Sequence, residues 1–354
     1  MEDEHIFRNV FFDYNKSMPN LINYIQEYGN LTLDDYTFNN VDSLILCQLS
    51  YLRFENIDLD LESNIYPMQI LENYIPTLVT QTRVPYLNEE LLLNICDSLR
   101  YKNILLSNFA YNFDSTNEKQ FCALTFHLPN FTDYIAFRGT DASFVGWKED
   151  FNLCFQEHIP SQISALNYVN QYQTKHKLLL GGHSKGGNLA VYAGIHTTNK
   201  IHCIYNHDGP GFLNPYKTHI PIYKTIPQSS IIGLLMENTE NYQVIFSNAL
   251  SILQHDPFTW QVENGDFIYM QQNDEISKYT QTTISTWLSQ IDVQTRKQVI
   301  DTIYSLFSKY ENPNDLKQNF DGKEFVKSLQ NMDAETKKKI LQTIQILLKT
   351  IKRG

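Results

Sequence analysis

The sequence predicts an α/β fold with a helical segment ahead of the sheet and a helical region behind it. Three observations carry this. The apolar run Leu178-Leu179-Leu180 feeds the pentapeptide Gly182-His183-Ser184-Lys185-Gly186, which leads straight into a small-residue helical pattern, so strand, sharp turn and helix are written in succession. Ile201 to Asn206 reads as the next strand and closes a βαβ unit. After about Gln271 the apolar spacing is helical throughout.

Taken in order, Leu21, Ile22 and Ile25 share a face between Asn20 and Tyr28, and Gly29 follows as a stop, which predicts a short helix. A second helix is expected from Asn39 to Leu52, with Val41, Leu44, Ile45 and Leu49 on one face. Leu91, Leu92, Ile95 and Leu99 give a third, after a loop holding Pro67, Pro76 and Pro85. Between Gln120 and Thr140 the period shortens: Phe121 to Phe126 and Tyr134 to Phe137 flank a turn at Pro129-Asn130 and predict a hairpin. Arg138-Gly139-Thr140-Asp141 follows, then a helix from about Ser143 to Phe155 and another after Pro160.

The helix after the pentapeptide runs to about His196. The strand at Ile201 ends in His207-Asp208-Gly209-Pro210-Gly211, a turn-rich loop at the carboxyl edge of the sheet, where catalytic groups of open α/β sheets collect. Tyr242 to Ser247 predicts one more strand before Gln254-His255-Asp256-Pro257, and Phe258 to Met270 reads as extended. Helical patterns then run from Ile276 to Ile291, Val293 to Tyr310, Asp315 to Leu329 and Ala334 to Ile351. The division expected is a sheet domain with its helical lead-in over 1–270 and a helical domain or cap over 271–354.

At 354 residues the chain is long enough to bury a large core, and 42% hydrophobic residues argue for a folded protein. A net charge of -11 disfavours nucleic acid as a partner, because phosphate contacts need clustered Lys and Arg. The five cysteines lack Cys-x-x-Cys spacing, so reduced core thiols are expected rather than a disulfide frame or a zinc site. The leading residues Met1-Glu2-Asp3-Glu4-His5 show neither a basic n-region nor an apolar h-region, and no apolar run nears the roughly 18 residues of a membrane span. Cytoplasmic residence, or export by a route without a cleavable leader, is the expectation. Lys337, Lys338, Lys339, Lys349, Lys352 and Arg353 cluster on the last helix, as a solvated face or a surface for anionic lipid or a protein partner.

The pentapeptide has the Gly-x-Ser-x-Gly form of a nucleophile elbow. A serine raised on so tight a turn takes strained backbone geometry, and Gly182 and Gly186 lack the Cβ atoms that would keep neighbouring segments away. The N–H of Lys185 opens the following helix and is free to donate to a developing oxyanion. A serine hydroxyl needs a base, and the base an acid that fixes its tautomer. The order Ser, acid, His of α/β-hydrolases leaves His196, His202, His207, His219 and His255 downstream; His255, on a loop able to fold back over the carboxyl edge, is the choice. For the acid, Asp208 lies on the correct edge, and it fits equally as the cap of the turn at Gly209 and Gly211. Asp256 is the weaker candidate, since adjacent side chains seldom orient one another. Arg138 and Asp150 also fit a structural ion pair.

Several segments together carry a family resemblance. Tyr134-Ile135-Ala136-Phe137-Arg138-Gly139-Thr140-Asp141, Gly146-Trp147-Lys148-Glu149-Asp150-Phe151 and the elbow resemble the corresponding motifs of fungal-type (class 3) triacylglycerol lipases. With Val41-Asp42-Ser43-Leu44-Ile45-Leu46, the loop at Asp208 and Gln254-His255-Asp256-Pro257, they resemble more closely a bacterial lipase-like α/β-hydrolase family long catalogued as a domain of unknown function. The resemblance implies a lipase or esterase with Ser184 as nucleophile, Thr140 as second oxyanion donor through its N–H and hydroxyl, and Asp150 holding the Thr140 hydroxyl. Fungal-type lipases carry their acid after a further strand, where this chain has Ser247-Asn248-Ala249; Asp208 serves from the earlier loop, or the triad is incomplete.

The expected function is hydrolysis of carboxylic acyl esters, lipids above all, through an acyl-enzyme and without metal or cofactor. A peptidase or thioesterase would use the same triad. The rival classes are a catalytically silent hydrolase scaffold used for binding, and a lipase module whose helical tail docks a partner or export apparatus.

Overall fold

Two capping boxes start the chain's helices. The computed structural model describes residues 19–141, 143–237, 241–273, 282, 292–307, 334, 337 and 338. Asn20 accepts the Ile22 N–H at 2.9 Å and opens α1 (Leu21–Tyr28). Asn39 does the same for α2 (Asn40–Leu49), which stops before the expected Leu52 because the chain turns at Ser50, whose hydroxyl donates to the Cys47 carbonyl at 2.6 Å. After α3 (Ile75–Val79), α4 spans Pro85–Asp97. Pro85 is thus a helix start and not a loop residue, since its missing N–H costs nothing in a first turn.

Further helices among the described residues are α5 (Phe144–Asn152), α6 (Pro160–Gln171), α7 (Lys185–His196) and α8 (Val293–Phe307). The strands are β1 (Tyr66–Pro67), β2 (Leu105–Asp114), β3 (Lys119–Leu128), β4 (Thr132–Phe137), β5 (Lys177–His183), β6 (Ile201–His207), β7 (Ile222–Pro227) and β8 (Gln243–Ile245). The stretch expected to be extended from Phe258 divides instead into a 3-10 turn at Pro257–Thr259, a ribbon of β9 (Val262–Glu263) and β10 (Asp266–Phe267), and β11 (Tyr269–Met270).

One mixed sheet runs β1-β2-β3-β4-β5-β6-β7-β8-β11. Pairing is antiparallel from β1 to β4, parallel from β4 to β8, and antiparallel again at β11, so the expected α/β fold is present, built on a mixed sheet. Three strands were not anticipated: β1, which takes in Pro67 of the expected loop, β2 and β7. In β2 the register shifts between Ser107 and Ala110, with Asn108 at φ 52°, and that bulge breaks the alternation by which strands are read. β7 is short and passes through Lys224 and Thr225, both buried despite their polarity.

Side chains alternate between two cores. Tyr134, Ala136, Leu179, Cys203 and Tyr205 face a core built with α1, α2 and α4, whereas Ile135, Phe137, Leu178, Leu180 and Ile204 face one built with α6 and α7. All five cysteines are buried and free. Of the helical region expected after Gln271, α8 packs on α5 and the turn after it: Arg296 donates to the Cys154 carbonyl at 3.1 Å and Lys148 pairs with Asp301. The helices expected at Ile276–Ile291, Asp315–Leu329 and Ala334–Ile351 lie outside the described residues except at isolated positions, as do Lys339, Lys349, Lys352 and Arg353. Among the described residues no helix is long and apolar enough to cross a membrane.

The helical lead-in is tied down by a buried charge. Asp42 accepts from Arg100 Nε at 2.7 Å and Nη2 at 2.5 Å, from the Tyr101 hydroxyl at 2.5 Å and from the Asn39 N–H at 3.0 Å. Neither Asp42 nor Arg100 side chain reaches solvent. Asp42→Ala would strand a guanidinium in that interior, and a loss of about 3 to 5 kcal/mol of unfolding free energy is expected. Urea denaturation measures it; a loss below about 1 kcal/mol would contradict this reading of the network.

Candidate active site

The elbow takes its shape from β5 and α7. Ser184 sits between them at φ 59° and ψ -133°, a backbone region that costs a non-glycine residue about 1 to 3 kcal/mol. Its N–H donates to the His207 carbonyl at 2.9 Å, which fastens the turn to β6. The flanking glycines are required by contact: a Cβ on Gly182 would meet the Gly186 carbonyl carbon at 2.1 Å, and one on Gly186 the Phe137 carbonyl oxygen at 2.1 Å. Ser184 is buried, at 8% residue exposure.

His255 stands on a 3-10 turn (Ser251–His255) that folds back over the carboxyl edge. Its Nε2 lies 2.9 Å from Ser184 Oγ and its Nδ1 lies 2.6 Å from Asp208 Oδ2. A carboxylate only accepts, so Nδ1 bears the hydrogen and Nε2 is left to accept from the serine. Asp208 is buried at the end of β6, at φ 51°. Its Oδ1 accepts from the Ser230 hydroxyl and from the Gly233 N–H at 3.1 Å, so both oxygens are held. The turn that Asp208 might have capped is capped by Asn206, whose Oδ1 accepts the Gly209 N–H at 2.9 Å. Asp256 faces elsewhere and accepts the Phe258 N–H at 3.1 Å. The carboxylate missing at Ser247-Asn248-Ala249 therefore leaves no gap in the line.

The two expected oxyanion donors come from the elbow itself and from the segment after β4. Lys185 is the first residue of α7, where the helix ladder offers its N–H no acceptor. Thr140 follows β4, and its hydroxyl donates to Asp150 Oδ2 at 2.5 Å. The alternative pairing of Asp150 with Arg138 is not formed. Arg138 turns away to Glu55 at 2.9 Å and to the Ser50 and Leu52 carbonyls at 2.5 and 2.6 Å, closing the end of α2.

Two contributions are not legible from spacing. The Lys185 side chain is buried, and its ammonium donates to Glu149 at 2.7 Å and to the Gln120 carbonyl at 2.9 Å. The backbone donor thus opens a helix pinned by its own side chain to α5 and β3. His183, inside the elbow, has Nε2 2.9 Å from the His255 carbonyl and Nδ1 3.0 Å from the Tyr51 hydroxyl. A carbonyl only accepts, so Nε2 donates and anchors the backbone of the loop that carries the base. Burial first, and then the neighbouring His255 and His207, hold the His183 imidazole well below its ordinary range, so it stays neutral. The sequence signalled only that a histidine occupies the elbow, not that Tyr51 from α2's end would meet it.

His207, another downstream histidine, is buried with Nε2 on Ser43 Oγ at 2.9 Å and Nδ1 on Thr225 Oγ1 at 2.7 Å, so it belongs to the core. His196 bonds back to the Tyr192 carbonyl at 2.9 Å on the far end of α7. Trp147 is half-buried and packs edge-on to Phe144 at 5.8 Å.

The chain is similar to the native Rhizomucor miehei lipase propeptide complex, at 17% identity over 50% of this chain and 64% of that one, with a TM-score of 0.34. It is similar also to lipase II from Rhizopus niveus (16% identity, 61% and 93% of the two chains, TM-score 0.33). A third likeness is to the lipase from Rhizopus microsporus var. chinensis (19%, 62% and 91%, TM-score 0.32). No curated protein matches. The Mbeg1-like family model matches residues 95–305, a stretch that holds Thr140, Ser184, Asp208 and His255, and the chain belongs to the Mbeg1-like family.

Proposed function

We propose that this protein is a serine hydrolase of carboxylic acyl esters that works through an acyl-enzyme on Ser184. The observation that carries the reading is the unbroken hydrogen-bond line from Ser184 Oγ through the His255 ring to Asp208. His255 Nε2 takes the serine proton as Oγ attacks the ester carbonyl. The N–H groups of Lys185 and Thr140, with the Thr140 hydroxyl, hold the oxyanion of the tetrahedral intermediate. As that intermediate collapses, the imidazolium returns its proton to the leaving alcohol, and water attacks the acyl-enzyme by the same route in reverse. Every step is provided by side chains and backbone of this chain, with no cofactor called for.

A lipid acyl group is favoured by the rim. Leu250 and Leu253 are 60% and 40% exposed on the loop that carries His255, where an acyl chain or a lipid surface would cover them. The test is hydrolysis of 4-nitrophenyl esters graded by acyl length. Turnover that rises with apolar chain length is expected, and absence of turnover on every ester would contradict the proposal.

A further inference from the structure

The hydroxyl of Thr140 has a single hydrogen, and in the structure it is committed to Asp150. A hydroxyl donating to an ionised carboxylate cannot also donate to an oxyanion. The conflict disappears if Asp150 is the donor. We propose that Asp150 is a neutral carboxylic acid when the oxyanion forms, donating its proton to Thr140 Oγ1 so that the Thr140 hydroxyl proton turns to the oxyanion. This deepens the hydrolase reading and rests on it. The relay runs from Asp150 Oδ2–H to Thr140 Oγ1 and from Thr140 Oγ1–H to the oxyanion; its one added proton comes from solvent, and no bond of the substrate is altered by it.

The surroundings of Asp150 suit a neutral acid. Its Oδ1 is sealed from solvent without any hydrogen-bond partner, which an ionised carboxylate tolerates poorly and a protonated one well. Burial pushes its pKa up to about 6, against the opposing pull of Lys185 and of the Thr140 hydrogen bond. The charges facing it are few. Lys185 is already neutralised by Glu149 at 2.7 Å, and Glu149 itself raises Asp150 while His255 lowers it. The Tyr51 hydroxyl and the Cys154 thiol are both pushed up by burial and stay neutral. A nascent oxyanion at Thr140 adds negative charge beside the pair and tips it further toward the protonated form. Asp150 is therefore a positioning residue that acts through Thr140.

The experiment forms the tetrahedral adduct of Ser184 with an alkyl boronic acid in mildly alkaline buffer, where Asp150 begins ionised. Calorimetry in buffers of different ionisation enthalpy counts the protons taken up. Wild-type protein is expected to take up one proton more than Asp150→Asn, whose amide donates to Thr140 without titrating. Infrared difference spectra of the wild type alone, adduct minus free, should gain a protonated-carboxyl band, and this arm stands even if Asp150→Asn does not fold. An adduct on Ser184 with equal proton counts, or with no new carboxyl band, overturns the proposal while leaving the triad intact. Failure of Ser184 to form any adduct overturns both together.

Discussion

Ser184→Ala is expected to lower kcat on a 4-nitrophenyl ester by about 10⁶-fold, the scale on which a nucleophile acting as one unit with its base is lost. The geometry makes the loss specific. The serine hydroxyl bonds to His255 Nε2, while the N–H that anchors the turn to His207 is backbone and survives the substitution. Unfolding free energy should therefore stay within about 1 kcal/mol of wild type, the value of one hydrogen bond. Activity unchanged in a folded Ser184→Ala protein would remove the nucleophile; a collapse of stability instead would mean that the hydroxyl holds the elbow together.

Asp208→Asn is expected to lower kcat by about 10⁴-fold with little change in KM, as loss of the correct imidazole tautomer does elsewhere. Here the direction of the amide is dictated by its neighbours. The Ser230 hydroxyl and the Gly233 N–H both donate to Oδ1, so the amide oxygen must take that position and the amide NH₂ must face His255 Nδ1. Nδ1 then has to accept, the ring hydrogen moves to Nε2, and the base no longer has a lone pair for Ser184. A loss below about tenfold would mean that Asp208 only shapes its turn and that His255 is oriented by other groups, the His183 anchor on its carbonyl among them.

What the sequence made legible was what local chemistry decides. The elbow could be read because strand, glycines, serine and helix start fall within a dozen residues, and each is required by contacts among near neighbours. His255 followed from chain order and loop length. Asp208 stayed divided between two roles because the deciding groups, Ser230 and Gly233, arrive from the segment after β7, and because Asn206 takes the capping role two residues earlier. The same distance hid Glu55 as the partner of Arg138 and Glu149 as the partner of Lys185. β2 escaped because its bulge breaks the period, and the start of α4 because Pro85 marks a helix entry as readily as a loop.

The proposed mechanism turns on the hydroxyl at position 184 being the activated nucleophile. The most direct measurement is the site of covalent attachment of a fluorophosphonate probe, mapped by mass spectrometry on the digested protein. A single adduct is expected on the peptide carrying Ser184, formed far more slowly in Asp208→Asn and absent after prior denaturation. A probe that leaves Ser184 unmodified while the protein is folded, or that attaches to another residue, would contradict it.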